Sequence, residues 1–213
     1  ILPCVILLLL IYKFTKIPSY IFRKIAHVIA FSFVIIFINN SINISSLLLA
    51  SLLLMIIVVI ALKLVQRKFD IGSFLSEKSD GEIIQSFVML LLMMDIVSVV
   101  GWYLFNHKEF SILSVLMWGV GDCFAAIIGI TFGKHKLRNK TYEGSISMFI
   151  TSFIAGFIYL YFICHYQFNT TLLYCLPASL IATLTELYTP SKYDTFTVPL
   201  SVLFTIILVS FLI

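Results

Sequence analysis

The stretch SLLLASLLLMIIVVIALKL, residues 46–64, carries no charge until its penultimate position, Lys63. A bilayer core needs about 20 apolar residues to be crossed as a helix. Backbone inside hydrocarbon satisfies its own polar groups only in a helix or a closed barrel. This segment alone therefore predicts a transmembrane helix. Working outward from it, apolar runs predict further spans near 1–12, 25–40, 83–105, 111–130, 145–164, 172–188 and 196–213. The expected fold is all-α: one polytopic membrane helix bundle of about seven or eight spans, a single domain over residues 1–213. Residues 1–11 have no basic stretch before them, so they read as a shortened first span better than as a signal peptide.

Composition points the same way. The 213 residues are 61% hydrophobic and 11% charged, with a mean hydropathy of +1.11. A soluble domain carries about 25% charged residues. Disorder, a nucleic-acid-binding domain and a disulfide-rich secreted fold are excluded. Cys4, Cys123, Cys164 and Cys175 lie in or beside apolar runs without C-x-x-C spacing, and read as buried thiols.

The connections between spans alternate sides. Those at 13–24, 63–82, 131–144 and 189–195 hold every basic residue except Lys108, out of 14 in the chain. Cytoplasmic loops carry the excess of Lys and Arg. The expected location is therefore an integral membrane protein of a bacterial plasma membrane or an ER-type membrane, with its polar chemistry facing the cytoplasm.

Three carboxylates fall inside the apolar runs: Asp95, Asp122 and Glu186. Each costs about 2.5–3.5 kcal/mol at a helix centre on insertion scales, so each needs a reason. For Asp95, a polar contact to a neighbouring Ser, Thr or Tyr weighs as much as a functional role. Asp122 sits among Gly121, Ala125, Gly129 and Gly133, small residues four apart on one helix face. That stripe suits close helix packing. It also leaves bare backbone where a ligand could approach Asp122, and the two readings are compatible.

The stripe leads into GKHKLRNKTYEGS, residues 133–145. Its cations, with Lys134 and Lys140 foremost, suit a polyphosphate, as do Thr141, Gly144 and Ser145 at a helix entrance, where N–H groups point outward. A plain membrane anchor is the competing account, but an anchor needs neither Glu143 nor Asp122. The segment is not a P-loop: three residues separate Gly129 from Gly133, and His135 follows Lys134. On the same face lie Arg23-Lys24-x-x-His27, within one helical turn, and a Pro-containing turn from Glu186 to Pro199 that includes Asp194. Carboxylates, cations and a glycine-lined approach on one face are the parts needed for metal-assisted phosphoryl transfer. The candidate metal ligands are Asp122, Glu143, Glu186 and Asp194, and the ion they suit is Mg²⁺.

Four pieces together resemble the CTP-dependent lipid kinases, which include dolichol kinase, phytol and farnesol kinases and the yeast-type diacylglycerol kinase. They are Arg23-Lys24-x-x-His27, Gly121-Asp122-x-x-Ala125-x-x-x-Gly129-x-x-x-Gly133-Lys134, Lys140-Thr141-x-Glu143-Gly144-Ser145, and Asp194-x-x-x-Val198-Pro199, in the family's order across roughly residues 20–200. The resemblance implies transfer of the γ-phosphoryl group of a nucleoside triphosphate, usually CTP, to the hydroxyl of a membrane lipid alcohol. It implies that Arg23, Lys24, Asp122 and Gly129 are needed for activity, with nucleotide-binding motifs at 119–145 and 186–199. Position 195 departs from the family, with Thr where Asn commonly follows Asp, so only Asp194 carries over there. Lys134 and Lys140 are expected on the phosphates, Arg23 and Lys24 on the transferring charge, and His27 or a carboxylate on the lipid hydroxyl.

Two other classes share part of this pattern. A CTP:phosphatidate cytidylyltransferase shares the nucleotide and the interface, but its K-D, H-G-G and D-R-x-D elements are absent from this sequence. An ion-coupled transporter would use Asp95, Asp122 and Glu186, but the paired repeats usual in transporters are not visible. Diacylglycerol, a polyprenol, phytol and farnesol each present one hydroxyl on an apolar body, and the sequence does not choose among them.

Overall fold

The structure is a computed structural model that describes residues 19–66, 80–138, 140–190 and 193–213. Its helices are α1 (Ser19–Asn40), α2 (Ile44–Gln66), α3 (Asp80–Ser98), α4 (Lys108–Phe132), α5 (Tyr142–Ile158), α6 (Phe168–Tyr188) and α7 (Asp194–Ser210). Among the described residues, five stretches are long and apolar enough to cross a membrane: Ile44–Ala61, Ile84–Leu104, Lys108–Phe132, Tyr142–Ile163 and Phe168–Tyr188. His27–Asn40 in α1 and α7 itself are shorter apolar helices. The protein is thus a membrane helix bundle. The span expected at 1–12 lies outside the described residues.

Two features depart from a plain all-helical expectation. The first is a small antiparallel hairpin of β1 (Lys136–Leu137) and β2 (Lys140–Thr141), pairing Lys136 with Thr141 and Leu137 with Lys140. It lies beyond the apolar runs, where a short, lysine-rich edge strand can keep its outer groups in water. The second is that α3 and α5 end in π-helical turns, Val99–Leu104 and Tyr159–Ile163. Each turn is followed by a residue at positive φ, Asn106 or His165, that reverses the chain. The two corners close in the same way, with His107 N–H donating to the Gly101 carbonyl and Tyr166 N–H to that of Leu160, both at 2.9 Å. Glu109 caps this end by accepting from Tyr166 Oη at 3.0 Å and pairing with His107 Nδ1 at 2.7 Å.

At the centre stands α4, which packs on α1, α5 and α7. Phe110, Leu113, Met117 and Trp118 are buried along it. A helix apolar all round belongs inside. The stretch with the highest hydropathy, α2, lies at the periphery: Leu49, Leu53, Ile57 and Ile60 are exposed, as befits a helix whose outer solvent is hydrocarbon. Ser51 Oγ ties it inward by donating to Asp95 Oδ2 at 2.8 Å. Asp95 thus has the polar bundle contact weighed for it, and it joins α2 to α3.

The small-residue stripe of α4 lies against the start of α5. Gly129 and Gly144 meet there: a Cβ on Gly144 would come within 2.9 Å of the Ala125 carbonyl oxygen and 3.4 Å of Gly129 Cα. Backbone cannot swing aside as a side chain can. Gly144→Ala should therefore destabilise the protein by about 1–3 kcal/mol, the usual cost of overpacking. The check is thermal unfolding in detergent, and an unshifted midpoint would show that the two helices are not so closely packed.

Candidate functional site

The beginnings of α1, α5 and α7, the ends of α4 and α6, and the hairpin all lie at one end of the bundle. Two lysine–carboxylate pairs form there. Lys24, in the second turn of α1, reaches across to α4 and donates to Asp122 Oδ2 at 2.7 Å. His27 lies three residues further along α1, so it shares that helix face. Its Nε2 is 3.4 Å from the same carboxylate oxygen. Trp118, one turn before Asp122, supports the imidazole edge-on, with ring centroids 4.8 Å apart. Asp122 is only 7% exposed, so Lys24 and His27 take the place of water around it.

The second pair joins the hairpin to α6. Lys140 on β2 donates to Glu186 Oε1. Asp194 Oδ2, at the start of α7, lies 4.0 Å from the same ammonium. Burial opposes the charge on Lys140, but Glu186, then Asp194 and Asp122, more than offset it, so the ammonium pKa is raised. Asp122 is the weakest of these influences, so the two pairs lie close enough to feel each other's field. Glu186 is 3% exposed. A carboxylate that deep without a cation would be costly.

Further contacts hold the hairpin. The Arg138 guanidinium stacks 4.2 Å over the Tyr188 ring. His135 Nδ1 lies 2.8 Å from Glu143 Oε1. Thr141 caps α5 with its Oγ1, which accepts from Gly144 N–H at 3.2 Å. Next to this cap Ser145 is buried, and its hydroxyl has no hydrogen-bond partner among the described residues.

Of the residues the sequence singles out, Lys24, His27, Asp122, Lys140, Glu186 and Asp194 are brought together here. Thr141, Gly144 and Ser145 flank them at the head of α5. Arg23 falls within α1, and nothing beyond that backbone position is described for it. Glu143 binds His135 and is not among the partners of Lys24 or Lys140. Lys134 is exposed. The bare faces of the α4 glycines are occupied by protein: Gly121 faces Ser152 and Met148, and Gly129 and Gly133 face Thr141. Close packing thus accounts for the stripe. Trp118 and Tyr188 were not anticipated, although each lies within one turn of a predicted acid, Asp122 or Glu186.

Among the described residues, no group of three or more His, Cys, Asp or Glu stands ready to hold a metal ion. Mg²⁺ is usually held by one or two carboxylates together with substrate phosphates and water. Asp122, Glu186 and Asp194 are hard oxygen donors of that kind, and Asp122 and Glu186 are here paired with Lys24 and Lys140.

No protein-family profile matches the chain, and no solved structure matches it. A curated protein of Rickettsia prowazekii (strain Madrid E), described as the uncharacterized protein RP860, is 32% identical over 99 residues. The match covers 44% of this chain and 46% of that protein, less than half of each.

Proposed function

We propose that the protein is a membrane lipid kinase. It transfers the γ-phosphoryl group of CTP, or of another nucleoside triphosphate, to the hydroxyl of a lipid alcohol at the cytoplasmic face. The acceptor belongs to the polyprenol/dolichol, phytol/farnesol or diacylglycerol class. The span at 1–12 and the inward-facing site belong to the same reading, for a bundle of seven or eight spans.

One observation carries it: Lys24–Asp122 and Lys140–Glu186, two largely buried pairs, meet at one end of a membrane bundle. Buried ion pairs are poor sources of stability, and charge within a membrane marks function by default. Phosphoryl transfer asks little of a protein beyond positioning and charge stabilisation. The parts found are suited to that work. Lys140 and Lys134 take the nucleotide phosphates, with the N–H groups and the Ser145 hydroxyl at the head of α5. Lys24 and Arg23 stabilise the transferring charge. His27 and Asp122 orient the lipid hydroxyl and take up its proton. The alcohol oxygen bonds to the γ-phosphorus, the bond from that phosphorus to the β,γ-bridging oxygen breaks, and the nucleoside diphosphate leaves. Asp122, with Glu186 or Asp194, would hold Mg²⁺, whose charge neutralises phosphate oxygens when it is bound.

The test is product identification. Purified protein is given CTP or ATP labelled in the γ-phosphate, Mg²⁺ and a panel of lipid alcohols. Labelled lipid phosphate with release of the nucleoside diphosphate is the expected result. Pyrophosphate with a cytidylyl lipid would assign a cytidylyltransferase, and no labelled product from any acceptor would overturn the reading.

A further inference from the structure

Beside Lys24, the surface between α1 and α4 carries a groove of about 300 Å³. Its walls include Ile25 and Val28 from α1 and Phe124 and Ile127 from α4, and Lys24 also borders it. Ile25, Val28 and Phe124 are partly exposed on the outer surface of the bundle. In a membrane protein such a side faces hydrocarbon. The groove is therefore an apolar slot open to lipid, and Lys24, which pairs with Asp122, stands at its border. Its volume is at the small end for ligand sites, the size of one chain segment.

We propose that this groove seats the chain segment next to the hydroxyl of the lipid substrate, and that Val28 and Phe124 set which chain fits. The inference rests on the lipid-kinase reading and adds to it a place and a shape. The alcohol enters sideways from the bilayer between α1 and α4. Its chain lies along Ile25, Val28, Phe124 and Ile127, and its oxygen comes to rest beside Asp122. An acceptor with a single chain at the hydroxyl end is preferred over a glyceride, whose second chain has no slot.

Two variants and one labelling experiment test this. Val28→Trp fills the groove from its open side and should raise the apparent KM for a single-chain alcohol by about tenfold, the scale at which an apolar pocket discriminates by size. The KM for the nucleotide should stay unchanged. Phe124→Ala widens the groove and should narrow the gap between single-chain alcohols and diacylglycerol. In phosphatidylcholine nanodiscs, a long-chain alcohol with a photoreactive group near its hydroxyl should label peptides of α1 and α4. Excess unlabelled alcohol should prevent this labelling, and excess phospholipid should not. Wild-type KM values in both variants, or labelling that phospholipid removes equally well, would overturn the groove assignment while leaving the kinase reading intact. Specific labelling of α1 and α4 by a protein that transfers no phosphoryl group would do the reverse. If Val28→Trp does not fold, Phe124→Ala and the labelling experiment still decide.

Discussion

If the proposed lipid-kinase reading holds, Asp122→Asn should lower the rate of phosphoryl transfer by about 10²–10⁴-fold, the range that a positioned acid–base group contributes. The substitution keeps the side-chain volume and removes the charge that Lys24 and His27 face. It also leaves Lys24 partly buried beside a neutral group. Removing one partner of a buried pair costs about 3–5 kcal/mol, and the exposure of the Lys24 side chain, 18%, places the cost at the lower end. Lost activity alone would therefore not separate chemistry from folding. The companion variant is Lys24→Met with Asp122→Asn, which removes both charges and should recover most of the thermal midpoint, because replacing both members of a buried pair is often close to neutral. Activity should remain lost. Initial rates with γ-labelled nucleotide and thermal unfolding in detergent give the two readouts. A single Asp122→Asn variant with the wild-type rate would remove Asp122 from the chemistry.

The fold was legible wherever composition alone decides. Residues 46–64 could be nothing but a span, and the alternation of charge from loop to loop assigned the helix ends to two faces. In the described residues the helices run a few residues past the apolar limits. Hydrophobicity ends at the membrane surface, whereas helical hydrogen bonding does not. The hairpin at 136–141 was not legible. Its strands are two residues long, too short for any period to show, and contacts with Glu186 and Tyr188, distant in sequence, hold it in place.

The site divides in the same way. Asp122 and Glu186 stood out because a charge in an apolar run is conspicuous in one dimension. Which lysine meets which carboxylate is a matter of three-dimensional placement. Lys24 lies 98 residues from Asp122, and Lys140 lies 46 from Glu186. Glu143 shows the limit most clearly. By spacing it belonged with the other acids, but on folding it turns to His135 across the hairpin. The α1–α4 groove was invisible for a further reason: its walls are ordinary apolar residues among many others, and only the packing of two helices brings them together.

Lys140→Met should destabilise the protein more than Glu186→Gln does, and the inequality is itself the test of the second pair. Removing Lys140 strands Glu186, which is 3% exposed and has no other cation among its described ion-pair partners. The expected cost is about 3–5 kcal/mol. Removing the charge of Glu186 strands a lysine whose side chain is 21% exposed and which keeps Asp194 at 4.0 Å. That loss should be about 1–3 kcal/mol, the scale for an imperfectly satisfied polar group. The double variant should then lose less than the sum of the single losses, by a coupling within the 0.5–3 kcal/mol found for residues in contact. Thermal or denaturant unfolding in detergent measures all four corners of the cycle. Equal losses, or none, would mean that the pair does not anchor the hairpin to α6. Nucleotide affinity supplies an independent axis. Lys140→Met should raise the nucleotide KM in proportion to a lost phosphate contact, while Glu186→Gln keeps the ammonium and should change it less. Both variants lose the same ion pair, so a larger rise for Lys140→Met, measured at saturating Mg²⁺ so that any metal role of Glu186 is masked, separates what the lysine does for phosphate from what the pair does for the fold.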